Sequence, residues 1–127
     1  MEEKNLIEKF IKLKEEIKYL EQGIQDNHIS FDEEFKRITY VFQNKSRNID
    51  NPEERVQADT FLKLVYDYDY SPEYINQFET ITDGSTKKEV DMVVYDDKTH
   101  EKPKLIVECK KTRSFRVRIS SSSRAGF

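Results

Sequence analysis

Three charged side chains close two apolar runs in a pattern suited to metal-assisted hydrolysis. In Glu89–Tyr95, read as a strand, period-two alternation sets Asp91, Val93 and Tyr95 on one face and Val90, Met92 and Val94 on the other. In Lys104–Lys110, Ile106, Glu108 and Lys110 share one face, and Leu105, Val107 and Cys109 share the opposite one. Asp91 precedes Glu108 by 17 residues, a separation that a hairpin bridges. An Asp, a hairpin and then Glu-x-Lys is the sequence form of a divalent-metal nuclease site. Mg²⁺ prefers octahedral oxygen ligands, usually one or two carboxylates with water and substrate phosphate. Asp91 and Glu108 would supply the carboxylates, and the backbone carbonyl of Cys109 a third oxygen. Lys110 would orient or activate the attacking water and offset charge on the pentavalent transition state. Mn²⁺ is the expected substitute, and the pattern leaves open one metal or two.

Blander readings exist for each residue. Glu-x-Lys also describes a strand whose solvated face carries charges. Glu54, three residues after Asn51, fits the reciprocal half of a capping box. Cys109 points to the core side and reads as a small buried residue rather than a nucleophile. His28 and His100 lie in polar stretches and read as surface residues. Tyr66, Tyr68, Tyr70 and Tyr74 read as packing residues before base-stacking ones.

The elements that must carry these residues are legible in outline. Leu6, Phe10, Leu13, Ile17, Leu20 and Ile24 form a helical stripe that suits packing on a neighbour or a short coiled coil, so dimerisation through residues 6–24 is an open expectation. Gly23 and Gln25-Asp26-Asn27 should end that helix, and Ser30 with Glu33 offers a second helix start. Ile38–Phe42 fits helix or strand, and Asn44–Asn51 reads as a loop. Asn51-Pro52-Glu53-Glu54 combines a cap, a proline at the first position and acids in the first turn. The helix it opens should run to about Tyr68, with Glu54, Ala58, Phe61 and Val65 on one stripe. Ser71-Pro72-Glu73 starts a short helix or turn. A three-stranded antiparallel meander follows: Gln77–Thr82, the Asp83-Gly84 turn, Glu89–Tyr95, and Lys104–Lys110. The expected organisation is an N-terminal helical extension over residues 1–45, a core over 46–111 and a basic Ser-rich tail over 112–127.

Composition narrows the class. The 127 residues are 37% charged and 35% hydrophobic, with 12% aromatic, which is one small domain with too many aromatics for a disordered chain. No apolar run reaches the roughly 18 residues of a membrane span. Met1-Glu2-Glu3-Lys4 has no secretory character, and the single cysteine can form no internal disulfide, so a cytoplasmic protein is expected. Net charge is −2 over residues 1–50, −6 over 51–110 and +5 over 111–127. The acidic middle is the wrong sign for unaided phosphate binding and the right one for a divalent cation.

Four segments in order carry a family resemblance: Asn51-Pro52-Glu53-Glu54-Arg55-Val56-Gln57, Tyr70-Ser71-Pro72-Glu73, Val90-Asp91-Met92-Val93-Val94-Tyr95, and Ile106-Val107-Glu108-Cys109-Lys110-Lys111. Together they resemble the N-terminal nuclease domain of type I restriction enzyme R subunits, a module also found fused to DNA adenine methyltransferases. The likeness spans about Ile38 to Lys111. It implies a PD-(D/E)xK nuclease with an α/β, restriction-endonuclease-like core, in which Asp91, Glu108 and Lys110 form the active-site triad and Glu54 adds an acid from the first core helix. It further implies Mg²⁺-dependent hydrolysis of DNA phosphodiesters, with specificity, methyltransferase or motor parts supplied by partners of a restriction-modification complex.

The sequence departs from that family in one place. The family continues past Glu-x-Lys with a helix bearing a Gln, often followed by Tyr, and a further strand, whereas Thr112–Phe127 has neither Gln nor Tyr. The expectation is therefore a module truncated after Glu-x-Lys. The alternative function is an inactive nuclease-fold module serving assembly or docking. No G-x-x-x-x-G-K-[ST] phosphate loop occurs, so no ATP-driven motor is expected in these residues.

Overall fold

In the computed structural model, residues 3–109 are described, Asp83 by its backbone alone, together with the backbone of 115–119. Helix α1 (Glu3–Glu16) and α2 (Leu20–Gln25) lead into strands β1 (Ile29–Phe31), β2 (Arg37–Tyr40) and β3 (Lys45–Asn48), which pair antiparallel in that order. Helix α3 (Pro52–Tyr66) and a single 3-10 turn (Pro72–Tyr74) lead to a second antiparallel sheet. Its strands are β4 (Ile75–Asp83), β5 (Thr86–Tyr95), β6 (Pro103–Cys109) and β7 (Phe115–Ile119), again in chain order. Mixed helix and antiparallel sheet is the α/β class expected. No helix among the described residues is long and apolar enough to cross a membrane.

The first 45 residues are not the helical extension that their stripe suggests. The stripe breaks over residues 17–19, where the Lys18 N–H donates to Asp59 Oδ1 on α3 at 3.0 Å. The bend lets Leu13, Ile17 and Leu20 all enter the chain's own core, so the middle of this apolar row is covered, while Ile24 at its end stays exposed. Gly23 lies inside α2 rather than ending it. A Cβ there would stand 2.8 Å from Leu62 Cδ2, so the glycine permits close packing of α2 on α3. Ser30 begins no helix. Asp32 Oδ1 accepts from Lys36 N at 2.7 Å and Arg37 N at 2.9 Å, and Phe35 turns with φ 54°, which folds the segment into a hairpin. A second tight turn, with Asn44 at φ 56°, converts the expected loop at residue 45 into β3.

Helix α3 is the pivot. Asn51 Oδ1 accepts from Glu53 N at 3.0 Å and Pro52 occupies the first turn, as the sequence requires. From Val56 to Val65 every residue except Lys63 is buried, because α3 packs on α1 and α2 on one side and on β6 on another. Tyr40 meets Phe61 edge-on at 5.1 Å in the common core, which also takes Met92, Val94 and Val107.

The second sheet has four strands where three were expected. Residues 115–119, placed by sequence in a basic tail, form β7 and pair with β6 from Leu105↔Ile119 to Cys109↔Phe115. The Phe115-Arg116-Val117-Arg118-Ile119 alternation there is a strand pattern obscured by its charge. The turn at Asp83-Gly84 forms as read, with Gly84 at φ 65° and Asp83 paired to Thr86.

Candidate metal and phosphodiester site

Asp91 and Glu54 come together in a cleft of about 530 Å³ between α3, the N-terminal sheet and β4–β6. Arg47, Glu53, Gln57, Phe78, Glu89 and Cys109 are among its other lining residues. Asp91 arrives there through an irregularity. The β4–β5 ladder pairs Gln77 with Met92 and Glu79 with Val90, but not Phe78 with Asp91, and Phe78 has φ 56°. A phenylalanine in left-handed backbone costs on the order of 1–3 kcal/mol, and such positions concentrate at functional sites. Strict alternation predicted Val90 beside Met92 and Asp91 beside Val93. Instead Val90 packs with Val93, Tyr95 and Ile106 on the far face of the sheet, while Asp91 lines the cleft.

Asp91 Oδ2 accepts the Cys109 N–H at 2.6 Å, which ties β5 to β6 just beyond the last ladder pair, Met92↔Val107. Burial raises the Asp91 pKa above the usual carboxylate range. The Cys109 N–H works against that rise, Glu108 adds to it, and the Gln57 side chain lowers it. Glu54 is also raised, first by burial, with Arg47 lowering and Asp91 raising it. The capping-box role is not taken up, because the Asn51 N–H donates to Asn48 O and the buried Glu54 Oε1 has no hydrogen-bond partner among the described residues. Gln57 is buried, and its Oε1 likewise lacks a donor. Two buried oxygens without donors, beside a carboxylate, are ligands of the type that a hard divalent cation takes.

The other expected site residues are distributed differently. Glu108 lies on the Ile106 side of β6, outside the cleft lining, and its Oε1 pairs with Lys88 Nζ at 2.8 Å. It is near enough to raise Asp91 electrostatically. Lys110 lies outside the described residues. Among the described residues no three His, Cys, Asp or Glu side chains converge as a metal-ligand group. The Cys109 thiol is pushed up to about 12, chiefly by burial, so it stays protonated at neutral pH and is no nucleophile. His100 is more than a surface residue: it stacks on Tyr95 at 4.6 Å, and its Nε2 lies 2.8 Å from Glu73 O.

Sequence reading passed over Gln57 and Arg47. Gln57 follows Glu54 by three residues and therefore shares its helix face, a signal available from spacing alone. Arg47 offered no such signal, since its segment read as loop.

The family model of the type I restriction enzyme R protein N terminus matches residues 52–120, more than half of the chain. The matched segment starts at α3 and runs through β7, so it begins later and ends later than the likeness read from motifs. No curated protein and no solved structure matches the chain.

Proposed function

Because this chain belongs to the type I restriction enzyme R protein N-terminal family, a family of restriction-modification enzymes, we propose that it is a Mg²⁺-dependent DNA endonuclease domain with a restriction-endonuclease-like core. The observation that carries this reading is the cleft lined by Asp91, Glu54 and Gln57, in which Glu54 Oε1 and Gln57 Oε1 are buried without a donor among the described residues. Asp91 would hold the metal, joined by Glu108 from the adjacent strand once it exchanges Lys88 for the cation. The Lys88–Glu108 pair is half exposed on its lysine side, and such pairs are worth only about 0–1 kcal/mol. In an extended strand a residue's N–H and C=O point to the same edge, so the Cys109 carbonyl lies on the side of Asp91 and suits a third ligand. Glu54 and Gln57 would complete the acceptor wall. Bound Mg²⁺ supplies Lewis-acid polarisation of the phosphate and a more acidic attacking water. Lys110 follows these strands directly and would hold or move the proton of that water. DNA, and specificity, methyltransferase or motor parts of a restriction-modification complex, are the partners this reading entails.

Supercoiled-plasmid nicking with Mn²⁺ tests it, comparing the chain with Lys110→Ala. Loss of nicking in the variant supports catalysis here. Equal nicking, or none in either, favours a docking module of nuclease ancestry, a reading to which the engagement of Glu108 by Lys88 lends its weight.

A further inference from the structure

Arg47 is the one cation lining the cleft among the described residues. It comes from β3, outside the family-matched segment. Its guanidinium carbon sits 3.8 Å from the centroid of the Phe78 ring, close enough for a cation–π contact. No hydrogen bond or ion pair to a described residue engages it. The ring beneath it belongs to the same Phe78 whose left-handed backbone interrupts the ladder opposite Asp91. One distortion therefore sets Asp91 in the cleft and a platform under Arg47. A guanidinium stacked on a ring keeps its in-plane N–H donors available for a planar, two-point contact, which matches a phosphate's oxygens.

We infer that Arg47 is a phosphate-contacting residue of the cleft, gripping a DNA phosphodiester between β3 and α3. The inference rests on the nuclease reading for its choice of polyanion. Among the described residues, the N-terminal sheet thereby supplies the one positive charge in a wall that otherwise carries Glu53, Glu54, Glu89 and Asp91. A contact of this kind helps an acidic domain hold a polyanion at the carboxylates without making its surface broadly basic.

Salt-dependent binding of a short labelled duplex, read by fluorescence anisotropy, tests the contact. Every protein carries Asp91→Asn to prevent turnover, and Arg47→Met and Arg47→Gln are set against Arg47→Lys. Each lost phosphate contact lowers the slope of log affinity against log salt by about 0.9. Arg47→Met and Arg47→Gln should both show that drop. Arg47→Lys should keep the slope while binding more weakly, because it keeps the charge and loses the two-point geometry. An unchanged slope in whichever neutral variant remains folded overturns the inference, as does failure of the Arg47 parent to bind duplex at low salt. Nicking by the chain and by Asp91→Asn alone judges the hydrolytic reading separately. A lost slope with equal nicking removes catalysis and leaves the contact standing, and the converse result does the opposite.

Discussion

The two faces of the β4–β7 sheet treat their carboxylates in opposite ways. On the far face Glu79 accepts from the Tyr95 hydroxyl, and Glu108 pairs with Lys88. In the cleft Asp91 accepts the Cys109 N–H with the Gln57 side chain beside it, and the buried Glu54 Oε1 receives no hydrogen bond among the described residues. Burial raises both cleft acids. A fold that can satisfy its acids on one face has left Glu54 under-satisfied in the cleft. On the proposed reading, the cleft carboxylates are the ones open to a ligand, while those of the far face are engaged within the protein.

The sharpest way to break this contrast is to neutralise one acid from each face. Asp91→Asn should reduce Mn²⁺-dependent nicking by more than about 100-fold, since even indirect supports of a metal ligand cost 10- to 100-fold when removed. Glu79→Gln should leave nicking close to that of the parent. Comparable losses in both variants, measured on one plasmid substrate, would erase the distinction between the faces.

Thermal melts read the same contrast without turnover. A metal at 100-fold excess over its dissociation constant should stabilise the chain by about 2.7 kcal/mol and leave Asp91→Asn/Glu108→Gln unmoved. Ligation needs ionised carboxylates, so this gain should grow as pH rises through the raised range of Asp91 and Glu54. Their effect on the metal-free protein has the other sign. A carboxyl whose folded pKa lies above its unfolded value, about 4, adds stability below that value, and the gain is lost as pH rises through the folded pKa. Melting temperatures with and without Mn²⁺ should therefore diverge toward neutral pH in the parent and stay parallel in the double variant.

Neutralising the second cleft acid should produce a smaller effect of mixed sign. Glu54→Gln removes a half-buried charge, so the metal-free protein should gain about 0.5–1 kcal/mol while its metal-induced shift shrinks. Glu79→Gln weakens the acceptor for the Tyr95 hydroxyl and should lose stability by about 1 kcal/mol. Urea midpoints for the two variants moving in the same direction would count against the contrast.

How far these faces could be read beforehand depended on what each segment obeyed. Asn51-Pro52-Glu53-Glu54 sets its own cap chemistry, so α3 began where its residues said it would. The Asp83-Gly84 turn needed only a glycine at positive φ and was equally plain. The N-terminal hairpins were not, because Asp32 side-chain bonds and residues at positive φ decided them over a competing helix signal from Ser30 and Glu33. Alternation placed Ile106, Glu108 and Cys109 on their observed sides but failed at Asp91, where the Phe78 irregularity intervenes. A two-residue period cannot anticipate a distortion in the neighbouring strand. For the same reason the hairpin spacing set Asp91 beside Glu108 as metal ligands, while Gln57 and Arg47 entered only with the folded cleft.

Lys88 is where the two faces meet, and it offers the finest test. If Glu108 belongs with the metal ligands, its pairing with Lys88 competes with the cation, and removing the amine should favour metal binding. Half-exposed pairs contribute about 0–1 kcal/mol, so Lys88→Gln should tighten Mn²⁺ half-saturation by a few-fold at most. The change should fade as salt is added, because screening weakens the pair in the parent. In a Glu108→Gln background the same substitution should do nothing, since there is then no carboxylate to release. If Lys88→Gln leaves metal affinity unchanged with Glu108 intact, then Glu108 belongs to the scaffold face alone, and the metal rests on Asp91, Glu54 and the Cys109 carbonyl.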